Sequence, residues 1–196
     1  MTTALSLASI DGLEGLSLGR LADEVGMSKS GLFAHFRSKE QLELAVIDEA
    51  AERFTEMVVR PAFTAPRGEP RIRALFERWL QWTGQESLPG GCVFVHLGAE
   101  LDDRPGPARD ALVAQQRRWF EALAGAARLA IDAGHFRADT DPELFAFQMH
   151  GIFLTYNHVQ RVLGDRNAEA RAHGAFDALL ASVRADAAAA SRSPSP

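Results

Sequence analysis

Between Ser17 and Lys39 the chain gathers groups able to hold a polyanion: the hydroxyls of Ser17, Ser28 and Ser30, the cations Arg20, Lys29 and Lys39, and the imidazole of His35. From Ser28 to Lys39 the charged residues are Lys29, Arg37 and Lys39, and no acid interrupts them. Ser17 and Ser28 stand where helices would start, so each would bring free backbone N–H groups and a positive dipole end, the arrangement that receives phosphate oxygens. Lys29 is suited to a guanine edge, with Ser30 beside it and Gly31 allowing close backbone approach. His35 and Lys39 would hold phosphates on either side and fix register, while Arg20, exposed on the preceding helix, could reach phosphate or base.

Three other pairings invite chemistry. Cys92 and His96 are one helical turn apart, as a thiol–imidazole nucleophile would require, but nothing nearby supplies an oxyanion site or an orienting third group, so the pair reads as packing. His96 with Glu100, and His150 with His158, have spacings that place ligands on one helix face, yet two ligands do not close a coordination sphere. No catalytic residue, metal site or cofactor is expected.

The elements that must position these groups read as helices throughout. Thr3–Ile10 forms a short first helix with Leu5, Leu7 and Ile10 on its apolar side, ended by Asp11-Gly12. Ser17 caps a second to Val25, burying Leu18, Leu21, Ala22 and Val25. Gly26 makes the turn, and Ser28 caps a third over Lys29–His35. Ser38, with Gln41 as in a capping box, starts a fourth that buries Leu42, Val46 and Phe54 and ends before Pro61. Thr64–Pro70 reads as a loop, and longer helices follow over Arg71–Glu86, Gly91–Leu101, Pro105–Ala133, Pro142–Leu163 and Asn167–Ala190. Ser191–Pro196 reads as a disordered tail.

Two short helices joined at Gly26, with the small Ala22 at their crossing and Leu21, Val25, Leu32 and Phe36 locking them, form a helix-turn-helix that presents its second helix to a major groove. The stretch Leu21-Ala22-x-x-Val25-Gly26-Met27-Ser28, then Gly31-Leu32-Phe33-x-His35-Phe36-x-Ser38-Lys39-x-x-Leu42, resembles the TetR family of transcriptional regulators. The resemblance implies a homodimer paired through its last two helices, an effector pocket among the middle helices, recognition by Lys29–His35 and phosphate contacts at His35 and Lys39. Phe33 stands where the family usually has tyrosine, so a phosphate-bonding hydroxyl is missing and the ring is expected only to pack. The family's first helix normally starts well before the position of Met1, which implies a start upstream or a shortened helix. Pro89-Gly90-Gly91-Cys92 and Asp102-Asp103-Arg104-Pro105-Gly106-Pro107 are similar to a subgroup of the family but name no ligand.

The second half is rich in large side chains, most of them expected as core. Pocket candidates are Trp79, Trp82, Cys92, His96, His150, Phe153, Tyr156 and Asn157. Phe147, Leu154 and Val162 with Phe176, Leu179, Leu180 and Val183 offer stripes for a helix-pair interface, or equally for burial within one chain. Gly151, inside a long helix, costs about 1 kcal/mol relative to alanine and points to close approach by another helix or a ligand.

Bulk properties bound the rest. The chain has 196 residues, 46% of them hydrophobic, enough for a packed core. No apolar run nears the length of a membrane span, the first residues lack a signal-peptide pattern, and a lone cysteine suits a reducing compartment, so a cytoplasmic location is expected. The net charge of −5 counts against nucleic acid only as a sum, because the acids Asp48, Glu49, Glu52 and Glu56 fall on a later, solvated helix. The expected fold is all-α: a helix-turn-helix DNA-binding domain over 1–48, a ligand-binding and dimerisation bundle over 49–190, and the tail 191–196. The expected function is a repressor released from a palindromic operator by a small molecule. An enzyme or binding protein with a vestigial helix-turn-helix, and a DNA binder without a sensor, are the competing classes.

Overall fold

The computed structural model describes residues 1–185, and among these the regular structure is helical apart from one isolated bridge between Phe136 and Arg184. The helices are α1 (Thr2–Asp11), α2 (Leu18–Val25), α3 (Lys29–Phe36), α4 (Lys39–Phe54), α5 (Arg60–Thr64), α6 (Glu69–Thr83), α7 (Val93–Glu100), α8 (Pro107–Asp132), α9 (Pro142–Arg161) and α10 (Ala168–Val183). They form two compact units, one of Met1–Met57 with Leu80–Arg117, the other of Val58–Trp79 with Arg118 onward.

In the first unit Leu5, Leu13, Leu16, Leu42 and Ile47 are fully buried, and Phe54 meets both Trp82 and Phe94 edge-on. Ile10 and Val25 were expected on buried faces but are 50% and 39% exposed. Each sits in the last turn of its helix, just before a glycine turns the chain away, so no neighbour reaches over it. Pro89-Gly90-Gly91 serves a close contact: Gly90 donates its N–H to Ser9 Oγ at 3.0 Å, and a Cβ there would fall 1.6 Å from the Ser9 carbonyl oxygen. Helix α7 accordingly begins at Val93, after the turn.

Pro61 does not stop the fourth helical segment. The chain passes from α4 through a π-helical turn over Thr55–Val59 into α5, which carries Pro61 in its first turn. The wider turn accommodates a residue that lacks an N–H and would crowd the carbonyl four residues back. The expected loop shrinks to 65–68, and Pro70 lies in the first turn of α6.

In the second unit Phe76 stacks on Phe176 with ring centres 4.0 Å apart, and Phe153 packs between Phe76 and Trp79. Asp141 Oδ1 accepts the N–H groups of Glu143 and Leu144, capping α9 with Pro142 at its start. Helix α10 ends at Val183, short of the expected Ala190. Residues 186–190 and the expected tail 191–196 lie outside the described residues.

A carboxylate pins the start of α6 to the end of α10. Glu69 accepts from Arg184 at 2.7 and 2.5 Å and from Arg73 at 2.8 Å, and Arg73 also reaches Asp177 at 3.1 Å. The Arg184 hydrogen bonds, aided by Arg73, lower the Glu69 carboxyl to about 2. A carboxyl more acidic folded than unfolded contributes stability above its unfolded pKa, and that contribution fades as pH falls through the folded value. Glu69→Gln should therefore lower the melting temperature at pH 7 and flatten its decline between pH 4.5 and about 2; an acid limb as steep as wild type would contradict the pin.

Candidate nucleic-acid interface

Three serine caps set up the N-terminal surface. Ser17, Ser28 and Ser38 all have extended backbones, and their hydroxyls accept from the N–H groups of Arg20, Gly31 and Gln41, each at 3.1 Å. Such a cap contributes about 1 kcal/mol and leaves the remaining N–H groups of the first turn open to an anion. Between the first two caps, Gly26 adopts φ 67° and ψ 27°, a left-handed conformation that costs a side chain energy. Leu21, Ala22, Leu32 and Phe36 are buried at the junction of α2 and α3, so the pair is held from one side only.

What α3 leaves exposed is Lys29, Ser30, Phe33, Ala34 and His35, the side of the helix away from Leu32. Lys29 lies along α2: its Cε and Nζ come within 3.6 Å of where a Gly19 Cβ would sit, beside Ser17 Oγ. Ser30 Oγ is 3.2 Å from Ser28 Oγ. His35 is exposed and meets Phe36 edge-on at 4.6 Å. Phe33, expected only to pack, is 51% exposed. It stands about 100° around the helix from Leu32 and about 60° from Phe36, at the margin of the buried face, so half of the ring stays in water.

Arg20 and Lys39 are engaged within the chain. Arg20 donates to Asp11 at 2.6 Å and to the Gly15 carbonyl at 3.2 Å, closing the link between α1 and α2. Lys39 donates to the Glu14 carbonyl at 3.1 Å and stands 3.7 Å from Glu43, with half its side chain in solvent. Burial pushes the Glu43 carboxyl up, against the lowering by Lys39 and Arg104.

Three features escaped the sequence reading. Ala34 shares the exposed face of α3. Glu100, at the end of α7, accepts the N–H groups of Leu13 and Glu14 at 2.8 and 2.7 Å, clasping the turn ahead of α2, and pairs with Arg104 at 3.3 Å. No local signal links partners so far apart in sequence. Arg37, between α3 and the α4 cap, has φ 62° and ψ −36°, and Ser38 donates its N–H to the Phe36 carbonyl at 2.7 Å across it. This is a positive-φ γ-turn, a strained conformation for a residue with a side chain.

The pocket candidates fall in both units. In the first, Trp82 stacks with Phe94 at 6.3 Å, and Cys92 is buried with its thiol pushed up by burial, away from nucleophilic thiolate. The backbone of Val95, in the first turn of α7, partly offsets that rise. His96 and Glu100 both face Gly12, but the carboxylate is spent on backbone N–H groups. In the second unit Trp79 stacks on Phe153 at 4.3 Å and meets Tyr156 at 6.1 Å. His150 sits 4.6 Å from the Phe120 ring, its pKa lowered to about 4 by burial, so it is neutral at pH 7. Its Nδ1 and the Asn157 Oδ1 are buried without a hydrogen-bond partner. His158 is exposed, and among the described residues no three potential metal-binding side chains converge.

The γ-turn gives a test of local strain. Arg37→Gly should raise the unfolding free energy, read by urea denaturation, by up to about 1 kcal/mol. A loss of stability would mean that the Arg37 side chain makes a contact worth more than the strain.

Residues 1–46 match the family described as bacterial regulatory proteins, tetR family, and residues 68–176 match the tetracyclin repressor-like C-terminal domain. No curated protein matches the sequence. Among solved structures, a TetR regulator from Chloroflexus aurantiacus is 24% identical with a TM-score of 0.79, over 94% of each chain. AibR, solved with isovaleryl coenzyme A and operator DNA, is 27% identical with a TM-score of 0.73, over 91% of this chain and 96% of that one. A transcriptional regulator from Saccharomonospora viridis, solved with choline, is 21% identical with a TM-score of 0.79, over 94% and 95%.

Proposed function

The chain belongs to the TetR family of bacterial regulators, and from that premise we propose that it represses transcription in the cytoplasm as a homodimer, released from a palindromic operator by a small molecule. The observation that carries the DNA reading is the cluster of Ser17, Ser28, Lys29 and Ser30, which joins the open starts of α2 and α3 to an ammonium group on one exposed surface. Lys29, lying along α2, would meet phosphate with Ser17. His35 and Lys39 would flank it, Lys39 exchanging the Glu14 carbonyl for a phosphate oxygen. Arg20 would brace the turn through Asp11 rather than touch DNA. The DNA-binding domain would end near residue 48, within α4.

The dimer surface would be the outer side of α9 and α10. Leu144, Phe147 and Leu154 on α9, with Val162 just past its end, form an exposed stripe beside a groove of about 510 Å³ lined by Gly151, Ile152, Val159, Ala172 and Ala175. Phe176, Leu179, Leu180 and Val183 are already buried in their own chain, so the α9 stripe would supply most of the apolar area. A Cβ at Gly151 would meet nothing within 4 Å of its own chain, which leaves that surface to a second helix.

The effector would lie against Trp79, Phe153 and Tyr156, with His150 Nδ1 and Asn157 Oδ1 as polar contacts, since each such atom left unpaired costs about 1–3 kcal/mol. The complexes of AibR and of the Saccharomonospora regulator support small-molecule control. Effector and operator would favour different separations of the two α3 helices and so weaken each other's binding by the same factor.

Fluorescence anisotropy of the protein against its own upstream intergenic DNA, beside a scrambled duplex, tests this reading. Binding should be specific, should weaken steeply with salt, and should fall at least tenfold in Lys29→Ala. Equal affinity for the scrambled duplex would reject a sequence-reading regulator. Gly151→Leu should keep the helical circular dichroism of wild type, shift the sedimentation coefficient to that of a monomer and weaken operator binding; an unchanged dimer would place the interface elsewhere.

A further inference from the structure

The exposed face of α3 divides into two chemically different halves. Its first turn is polar, and both polar groups are held near the helix starts: the Lys29 ammonium beside Gly19 and Ser17, the Ser30 hydroxyl 3.2 Å from Ser28 Oγ. Its second turn presents Phe33 and Ala34, which carry no donor or acceptor, next to the exposed imidazole of His35 at the end of the helix. Phe33 is 51% exposed and Met27, in the turn before α3, is 50% exposed, so a surface otherwise built from caps and cations also carries exposed apolar side chains. Leaving a phenylalanine ring half in water forgoes about 1 kcal/mol or more of burial, which a contact in the bound state would recover.

We infer that Phe33 and Ala34 read thymine C5-methyl groups in the major groove, so that each operator half-site places T·A pairs beside the base pair met by the first turn of α3. The inference rests on the DNA reading above and concerns which bases are read. The thymine methyl is the one bulky apolar group on the major-groove edges; guanine and adenine present acceptors and an amino group, and cytosine an amino group beside a bare C5–H, so a phenyl ring there would desolvate polar groups without pairing. The residue type fits the same reading: a phenyl ring has no polar tip to offer a phosphate and only its apolar surface to bring to a base edge. Ala34, one residue on, widens the apolar strip without filling the groove.

The test replaces thymines one at a time by deoxyuridine, which deletes the methyl and keeps every hydrogen-bonding group, in the upstream DNA fragment that the protein binds. At one or two positions in each half-site deoxyuridine should weaken wild-type binding by about threefold to tenfold, the effect of one buried methyl. Phe33→Ala should bind the unmodified fragment about as weakly and show little further loss with deoxyuridine at those positions. Phe33 lies outside the buried core, so the variant should keep the circular dichroism of wild type and nearly its melting temperature. Phe33→Tyr separates the alternative contact: if the ring faces phosphate, this variant gains affinity with an unchanged salt slope, because its hydroxyl is neutral, while deoxyuridine stays silent, and the inference falls. Specific binding indifferent to every deoxyuridine overturns the inference alone. Absence of specific binding overturns the regulator reading and the inference with it.

Discussion

An eight-residue helix does not persist by itself in water, and α3 has eight residues. It must be held by its surroundings, and it is held from one side only: Leu32 and Phe36 are buried while Lys29, Ser30, Phe33, Ala34 and His35 are exposed. The chain meets this constraint with few parts. Ser28 satisfies the first turn, Leu32 and Phe36 sink into the core, and Gly26 turns α2 across it so that Leu21 and Ala22 complete the contact. Everything polar or apolar that remains on α3 is available for recognition.

Holding α3 is also what couples it to the rest of its unit. The turn ahead of α2 is clasped by Glu100 at the end of α7, and Arg104 lies between Glu100 and Glu43, 3.3 and 4.0 Å from them. Glu43 in turn neighbours Lys39, whose ammonium also bonds the Glu14 carbonyl. A displacement of α7 is thereby felt at the backbone that sets α2 and at a cation that would meet phosphate. These are charged contacts in a partly buried setting, where a small change in geometry alters their strength more than it would in water. The second unit supplies different means: an aromatic core around Phe153 with orphaned polar atoms beside it, and an α9 surface left apolar and unfilled.

The fold and the caps that shape the candidate interface were legible because their signals are local. Caps at Ser17, Ser28 and Ser38, the glycine turn at Gly26 and Pro142 at a helix start each depend on residues within one turn, and each lies where the spacing put it. The readings that needed correction failed where a neighbour far along the chain, or the lack of one, decided the outcome. Ile10 and Val25 carry the right period for burial but outrun the elements that would cover them. Pro61 reads as a stop, yet a π-helical turn carries the helix through it. Lys39 was identified as a cation without its partners Glu14 and Glu43, Arg20 without Asp11, and the Glu100 clasp had no local signature at all. Phe33 is the instructive case: a large apolar side chain in a periodic segment usually means core, and here the period places it on the open face.

The central claim is that two copies of α3, one from each protomer, face the same side of one DNA duplex. Hydroxyl-radical footprinting of the protein on its own upstream DNA tests this most directly, because it maps backbone protection base by base. Two protected patches on one face, with centres about 34 Å apart as two half-sites require, are predicted. A single patch, or uniform protection along the fragment, would contradict the paired arrangement and leave α3 as something other than one half of a dimeric reading head.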